Sequence, residues 1–172
     1  MTLDCRFEEQ NTHATLYFSA MNCLANCDVQ KLQNIMRSNA EIDINRRDPL
    51  TGLQTILMRL CYSSVTPAQR LDMLDSMLLR KPDINVSDGN GRTVLHHACI
   101  GQCCEMFQTL ACCDCSVNAV DADGNTPLIL AVMSTDIRVV HEFLESFVHL
   151  QPNFTHKNGQ GIFCLTVAMQ YC

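Results

Sequence analysis

The sequence predicts an all-α solenoid of short helix–turn–helix repeats, about four of them plus a terminal half-repeat, in one domain. Three observations carry this reading. The chain matches itself without gaps at a spacing of 33 residues, and a period of that length marks a stacked repeat. Each copy opens on a polar turn followed by a helix-capping threonine. The interior must also be built without Trp and with few aromatics, from Leu, Ile, Val, Met, Ala and Cys, which suits closely packed short helices.

The match lays Asp88-Gly89-Asn90-Gly91-Arg92-Thr93-Val94-Leu95-His96-His97-Ala98 over Asp121-Ala122-Asp123-Gly124-Asn125-Thr126-Pro127-Leu128-Ile129-Leu130-Ala131, with Asp, Gly, Thr, Leu and Ala coinciding. Upstream, Ile84-Asn85 returns as Val117-Asn118. Gly91 and Gly124 end polar runs where the turn calls for positive φ. Thr93 and Thr126 stand where a hydroxyl caps a helix start. Pro127 follows at a position where a missing N–H costs little. Leu95, Ala98 and Cys99 share one helical face. A second helix follows, its Met106-Phe107 and Leu110-Ala111 returning as Val139-Val140 and Phe143-Leu144. Such a unit buries its apolar face only by stacking on neighbours.

This pattern resembles the ankyrin repeat, with its D-x-x-G-x-T-P-L-H-x-A motif and V-N-like segment. Thr126-Pro127-Leu128 lacks only the motif's His, and Thr93 to His96 lacks only its Pro. Weaker copies follow from the register: Asp48 to Leu57 opens one, with Ser63 to Gln69 widening its inter-helix loop and Pro67 opening its second helix. Thr15 to Ala20 with Val29, Leu32, Ile35 and Met36 forms a degenerate first unit. Asn158 to Phe163 starts a last one, displaced by 35 residues, whose Phe163, Leu165, Val167 and Met169 either cap the stack or are covered by a partner. The expected division is an N-terminal extension over 1–11 and a repeat domain over 12–172, split at 12–47, 48–87, 88–120, 121–155 and 156–172.

A net charge of −6 gives no electrostatic footprint for direct nucleic-acid binding. No stretch is apolar enough to span a membrane, and the first ten residues lack the core of a signal peptide. Twelve cysteines then point to a reducing interior, cytoplasmic or nuclear, with free thiols.

The cysteines raise a zinc or thiol-enzyme reading. Cys103-Cys104 and Cys112-Cys113-Asp114-Cys115 lack the paired C-x₂₋₄-C knuckles of structural zinc, and about three helical turns separate them. No Ser elbow, phosphate loop or H-E-x-x-H helix is present. His96 takes the motif's structural histidine position. Asp121 and Asp123 fall in an inter-repeat turn rather than a catalytic pair. No metal, cofactor or catalytic residue is expected.

The resemblance implies instead a concave binding face formed by turn tips and first helices. By register it places Tyr62, Ile100 and Met133 in one column, and Arg59, His97 and Leu130 in a second. The tips add Arg46, Arg47, Asp88, Asn90, Asp121 and Asp123, then His156 and Lys157. The family usually has polar residues where Tyr62, Ile100 and Met133 stand. They are either an exposed apolar interface or, with the helices slightly rotated, ordinary core.

A chain made of repeats is expected to act by binding a protein. In size and repeat architecture the chain resembles small ankyrin-only proteins, among them the inhibitors of cyclin-dependent kinases and the small subunit of a serine/threonine kinase complex. The latter restrains DNA replication in the egg-to-embryo transition. The resemblance implies a kinase, or its activating subunit, as partner. The competing readings are sequestration of a transcription factor and, in another class, a cysteine- or zinc-dependent enzyme.

Overall fold

The computed structural model describes residues 4–38, 42–134 and 136–163, with side chains from residue 15 onward. Eight α-helices and no β-strand are present among the described residues. They are α1 (Asp4–Ala25), α2 (Val29–Arg37), α3 (Ile56–Leu60), α4 (Pro67–Leu78), α5 (Val94–Ile100), α6 (Phe107–Ala111), α7 (Pro127–Met133) and α8 (Ile137–Phe147). Short 3₁₀ turns cover Pro49–Thr51, Cys104–Met106 and Val148–Leu150.

The helices form two layers. The first helix of each unit packs on the next in the order α1, α3, α5, α7. The second helices pack α2 on α4 and α6 on α8, and the 3₁₀ turn ahead of α6 bridges to α4. This is the expected solenoid. The first layer is sealed by small residues: Ala20, Ala98 and Ala131 are fully buried, letting neighbouring helices approach. In the second layer Phe107, Phe143 and Phe147 pack together, with ring centroids 4.8 to 5.7 Å apart, in the offset and edge-on contacts aromatic rings favour.

Capping chemistry sets where the helices begin. Thr55, Thr66 and Thr126 each accept an amide three residues on through the side-chain hydroxyl. Gln69 completes a capping box by accepting the Thr66 amide at 3.0 Å. At Thr93 the role passes to His96, whose Nδ1 accepts the Thr93 amide at 3.1 Å. That leaves the proton on Nε2, which donates to the Asn125 carbonyl of the next unit at 3.2 Å. The histidine of the motif therefore joins two repeats.

The turns between units lock together through the backbone. Gly89 N donates to Gly52 O, Ala122 N to Asn90 O, and Gly159 N to Asp123 O, each at 2.8 Å. Beside them, Asn45, Asn85 and Asn118 accept the amides of Asp83, Ser116 and Asn153 through their side-chain oxygens. Each asparagine thus satisfies an amide one repeat further along.

Two differences from the sequence reading stand out. Helix α1 begins at Asp4, inside the stretch expected to be an extension. The turn of Asp121 is repeated at Asn158, where the side chain again accepts the amides two and four residues on. That spacing is 37 residues, not 35, because α8 and the 3₁₀ turn after it add about one helical turn relative to the α6 unit. Leu165, Val167 and Met169, on which the terminal half-repeat and its capping role rest, lie outside the described residues.

A candidate protein-binding surface

Tyr62 lies just beyond α3, while Ile100 and Met133 close α5 and α7. These equivalent ends bring them to one face, where they are 43%, 37% and 43% exposed. The rotated-core alternative is therefore wrong for this column: the three side chains form an apolar strip on the surface. Phe18 of α1 adds 47% exposure. The motif register had not singled it out, because it occupies the position that the histidine holds in the third unit.

The second column divides. His97 and Leu130 are buried, and Arg59 is half-buried. The correction for His97 has a specific cause. Its Nε2 lies 3.0 Å from Asp88 Oδ2, and its Nδ1 lies 2.7 Å from the Tyr62 hydroxyl. A carboxylate only accepts, so Nε2 carries the proton, and Nδ1 accepts from the phenol. A tip carboxylate, a buried imidazole and a surface ring thus form one chain spanning two repeats. Tyr62 also meets the imidazole edge-on at 5.5 Å. Leu130 is the apolar counterpart of His97 and packs into the core.

The tips require a similar correction. Asp88 and Asp121 are buried, not presented to a partner. Asp88 Oδ1 accepts the amides of Asn90 and Arg92, and Asp121 Oδ1 those of Asp123 and Asn125. They are the organising residues of the turns. Burial alone would raise the Asp121 carboxyl, but hydrogen bonds from Asn125 and Arg92 outweigh it and hold the group below its ordinary value. Arg92 Nε is 3.1 Å from Asp121 Oδ2, and its Nη2 is 3.7 Å from Asp123. Part of the tip charge is thereby neutralised within the molecule. Asn90, Asp123 and Arg47 remain exposed, whereas the Arg46 guanidinium lies over the rings of Tyr17 and Phe18, 5.4 and 5.8 Å from their centroids.

The carboxylate–imidazole–hydroxyl chain is not built like an activated nucleophile. Burial, followed by the neighbouring Cys61, pushes the Tyr62 phenol up to about 12, whereas activation requires the opposite shift. Burial also lowers the imidazoles of both His96 and His97, favouring the neutral tautomers that their hydrogen bonds require.

Of the thiols singled out, Cys103 is buried at the start of the turn before α6, and Cys104 is half-buried in that turn. Cys112 is exposed, Cys113 half-buried and Cys115 buried beyond α6. The potential metal-ligand grouping found among the described residues is elsewhere, at His141, Glu142 and Glu145 on α8.

The fold and this face define a class: a stack of helical repeats with an apolar strip across successive units, a platform for protein–protein interaction. Residues 65–158 match the family model for ankyrin repeats in three copies, more than half of the sequence, and the chain belongs to the ankyrin-repeat family. It is 44% identical over 57 residues, 33% of its length, to a poly [ADP-ribose] polymerase tankyrase of Caenorhabditis elegans. It is 31% identical over 90 residues, 51% of its length, to the human transient receptor potential cation channel subfamily A member 1. The chain spans only 2% and 8% of these relatives. No described helix is long and apolar enough to cross a membrane.

Proposed function

We propose that this chain is a non-catalytic regulator that captures a serine/threonine protein kinase, or the subunit that activates one, through the Tyr62, Ile100 and Met133 strip. The observation that carries the binding reading is this exposed apolar column where the family's pattern is polar. Contiguous exposed apolar surface marks an interaction site, and aromatic and Met side chains are enriched at interfaces. Arg59, Arg47, Asn90 and Asp123 form its polar border. Assignment to a kinase, and to cell-cycle or DNA-replication control in early development, rests on the resemblance in size and architecture to small ankyrin-only kinase regulators. The nine described cysteines are all free thiols, which supports action in the reducing cytoplasm or nucleus.

The test is affinity purification with the wild-type chain, Ile100→Asp and Met133→Asp, followed by mass spectrometry and a phosphorylation assay on the captured material. A kinase or its activating subunit is expected with the wild type and should be lost with both variants, whose circular dichroism stays native. Capture of a transcription factor without a kinase would establish the sequestration reading instead. Capture unaffected by either substitution would sink the proposed surface.

A further inference from the structure

Five of the described arginines are half-buried: Arg46, Arg59, Arg70, Arg80 and Arg92. Four of them have partners. Arg46 covers two rings, Arg70 holds Glu105 and the Ser63 carbonyl, Arg80 holds the carbonyls of Met36 and Ser38, and Arg92 holds Asp121. Among the half-buried arginines of the described residues, Arg59 alone has neither an ion pair, nor a hydrogen bond, nor a ring contact from its guanidinium. Removing a guanidinium partly from water without a counter-charge is unfavourable, so its setting asks for an anion.

That setting is a cleft of about 100 Å³ between α1 and the end of α3. Met21 and Leu24 wall one side, and Arg59, Tyr62, Ser63 and Ser64 the other. No carboxylate lines it. The carbonyls at the end of α3, which would otherwise offset the guanidinium, are already taken: Met58 O by Cys61 N, Arg59 O by Tyr62 N, and Leu60 O by Ser63 N and Oγ. At the end of α1, Asn22, Cys23 and Leu24 carbonyls accept the amides of Asn26, Asp28 and Cys27. Tyr62 has its hydroxyl committed to His97 and so presents a fixed ring rather than a free donor.

The size of the cleft selects its occupant. Pockets for whole small molecules run to about 300–1,000 Å³, and one water takes about 30 Å³. A cleft this small matches one short acidic side chain, whose carboxylate fits the planar guanidinium fork. The cleft also shares Tyr62 with the apolar strip, so a segment lying on that strip reaches both.

We propose that this cleft is an acid-recognition subsite, in which an Asp or Glu of the partner seats on Arg59 while an adjacent apolar residue lies against Tyr62 and Ile100. The inference rests on the protein-binding reading of the same face and specifies what the bound segment must carry.

A random dodecapeptide library of unmodified amino acids, selected in parallel on the purified full-length chain and on Arg59→Gln, Arg59→Lys and Ile100→Asp, tests it. The wild type is expected to enrich peptides with an acidic residue at a fixed offset from an apolar one. Arg59→Gln should keep the apolar preference and lose the acidic one, and Arg59→Lys should retain the acidic one. In a synthetic consensus peptide, replacing the acid by its amide should weaken binding to the wild type by about tenfold and leave binding to Arg59→Gln unchanged. An acidic preference equally strong on Arg59→Gln, or its absence on the wild type, overturns the subsite while leaving the apolar surface standing. Enrichment that survives Ile100→Asp unaltered overturns the surface itself, and no enrichment on the wild type overturns both.

Discussion

The Tyr62 hydroxyl lies 2.7 Å from Nδ1 of His97, a residue of the next repeat whose other nitrogen is held by Asp88. A ring 43% exposed at the candidate interface is thus fixed by a buried imidazole and, through it, by an inter-repeat turn. Pre-organising an interface side chain lowers the ordering cost of binding.

Tyr62→Phe keeps the ring and removes the bond, leaving Nδ1 without its donor. Loss of about 1 kcal/mol of stability is expected in urea unfolding. His97→Leu should cost about 1–3 kcal/mol, because it strips a partner from buried Asp88. The double variant should lose less than the sum of the two, since the residues share one interaction. Strict additivity would mean that the pair is not coupled.

Gly101→Ala should destabilise the stack by about 1–3 kcal/mol, the usual range for overpacking. Gly101 has ordinary right-handed backbone, φ −77 and ψ −2, where Ala normally stabilises by about 0.4–1 kcal/mol. An added Cβ would stand 2.7 Å from the Cys61 carbonyl oxygen of the preceding repeat. A raised thermal midpoint in this variant would show that the repeats separate there without penalty.

Acid should weaken the fold first through its histidines. Burial lowers both His96 and His97, so the unfolded chain binds protons more readily than the folded one just below the unperturbed value of about 6.5. Their stabilising contribution is complete above that value and is lost as pH falls through the lower folded-state values. Asp121, also lowered, adds a second loss below about 3.9, the ordinary carboxylate value. Thermal midpoints measured from pH 8 downward should decline first below about 6.5, and His97→Asn should flatten that step. Ring-proton titration by NMR should place both imidazoles below the ordinary value, and normal values would contradict the buried neutral tautomers.

The thiols should react in order of exposure. Cys112 is exposed, while Cys99 and Cys103 are fully buried. Burial pushes the Cys99 thiol well above its ordinary value. A hydrogen bond from Cys61 lowers Cys103 against the effect of burial, but its sulfur lies in the core, 3.2 Å from the Cys61 carbonyl. Among the nine described thiols, timed maleimide labelling with mass spectrometry should modify Cys112 first, with Cys99 and Cys103 labelled only on unfolding. Full labelling of Cys103 with native circular dichroism would show that the second-to-third repeat junction opens readily.

The sequence leaves the outward position of Tyr62, Ile100 and Met133 open, but it carries the repeat, its period, the cap at Thr126 and Pro67 as a helix start. These features are local or periodic: a cap acts within one turn of helix, and a register carries an orientation from one copy to the next. Only the folded stack settles that this column is exposed and which polar residues of the register stay at the surface. His97 reads as an exposed position until Asp88, nine residues earlier, and Tyr62, 35 residues earlier, supply its two bonds. Asp88 and Asp121 read as free charges until turn amides close on them. Arg59 is the converse, a cation left without an anion while the other half-buried arginines found partners. Whether a buried polar group is satisfied depends on donors and acceptors contributed by neighbouring turns and repeats, and their distances exist only once the stack has formed.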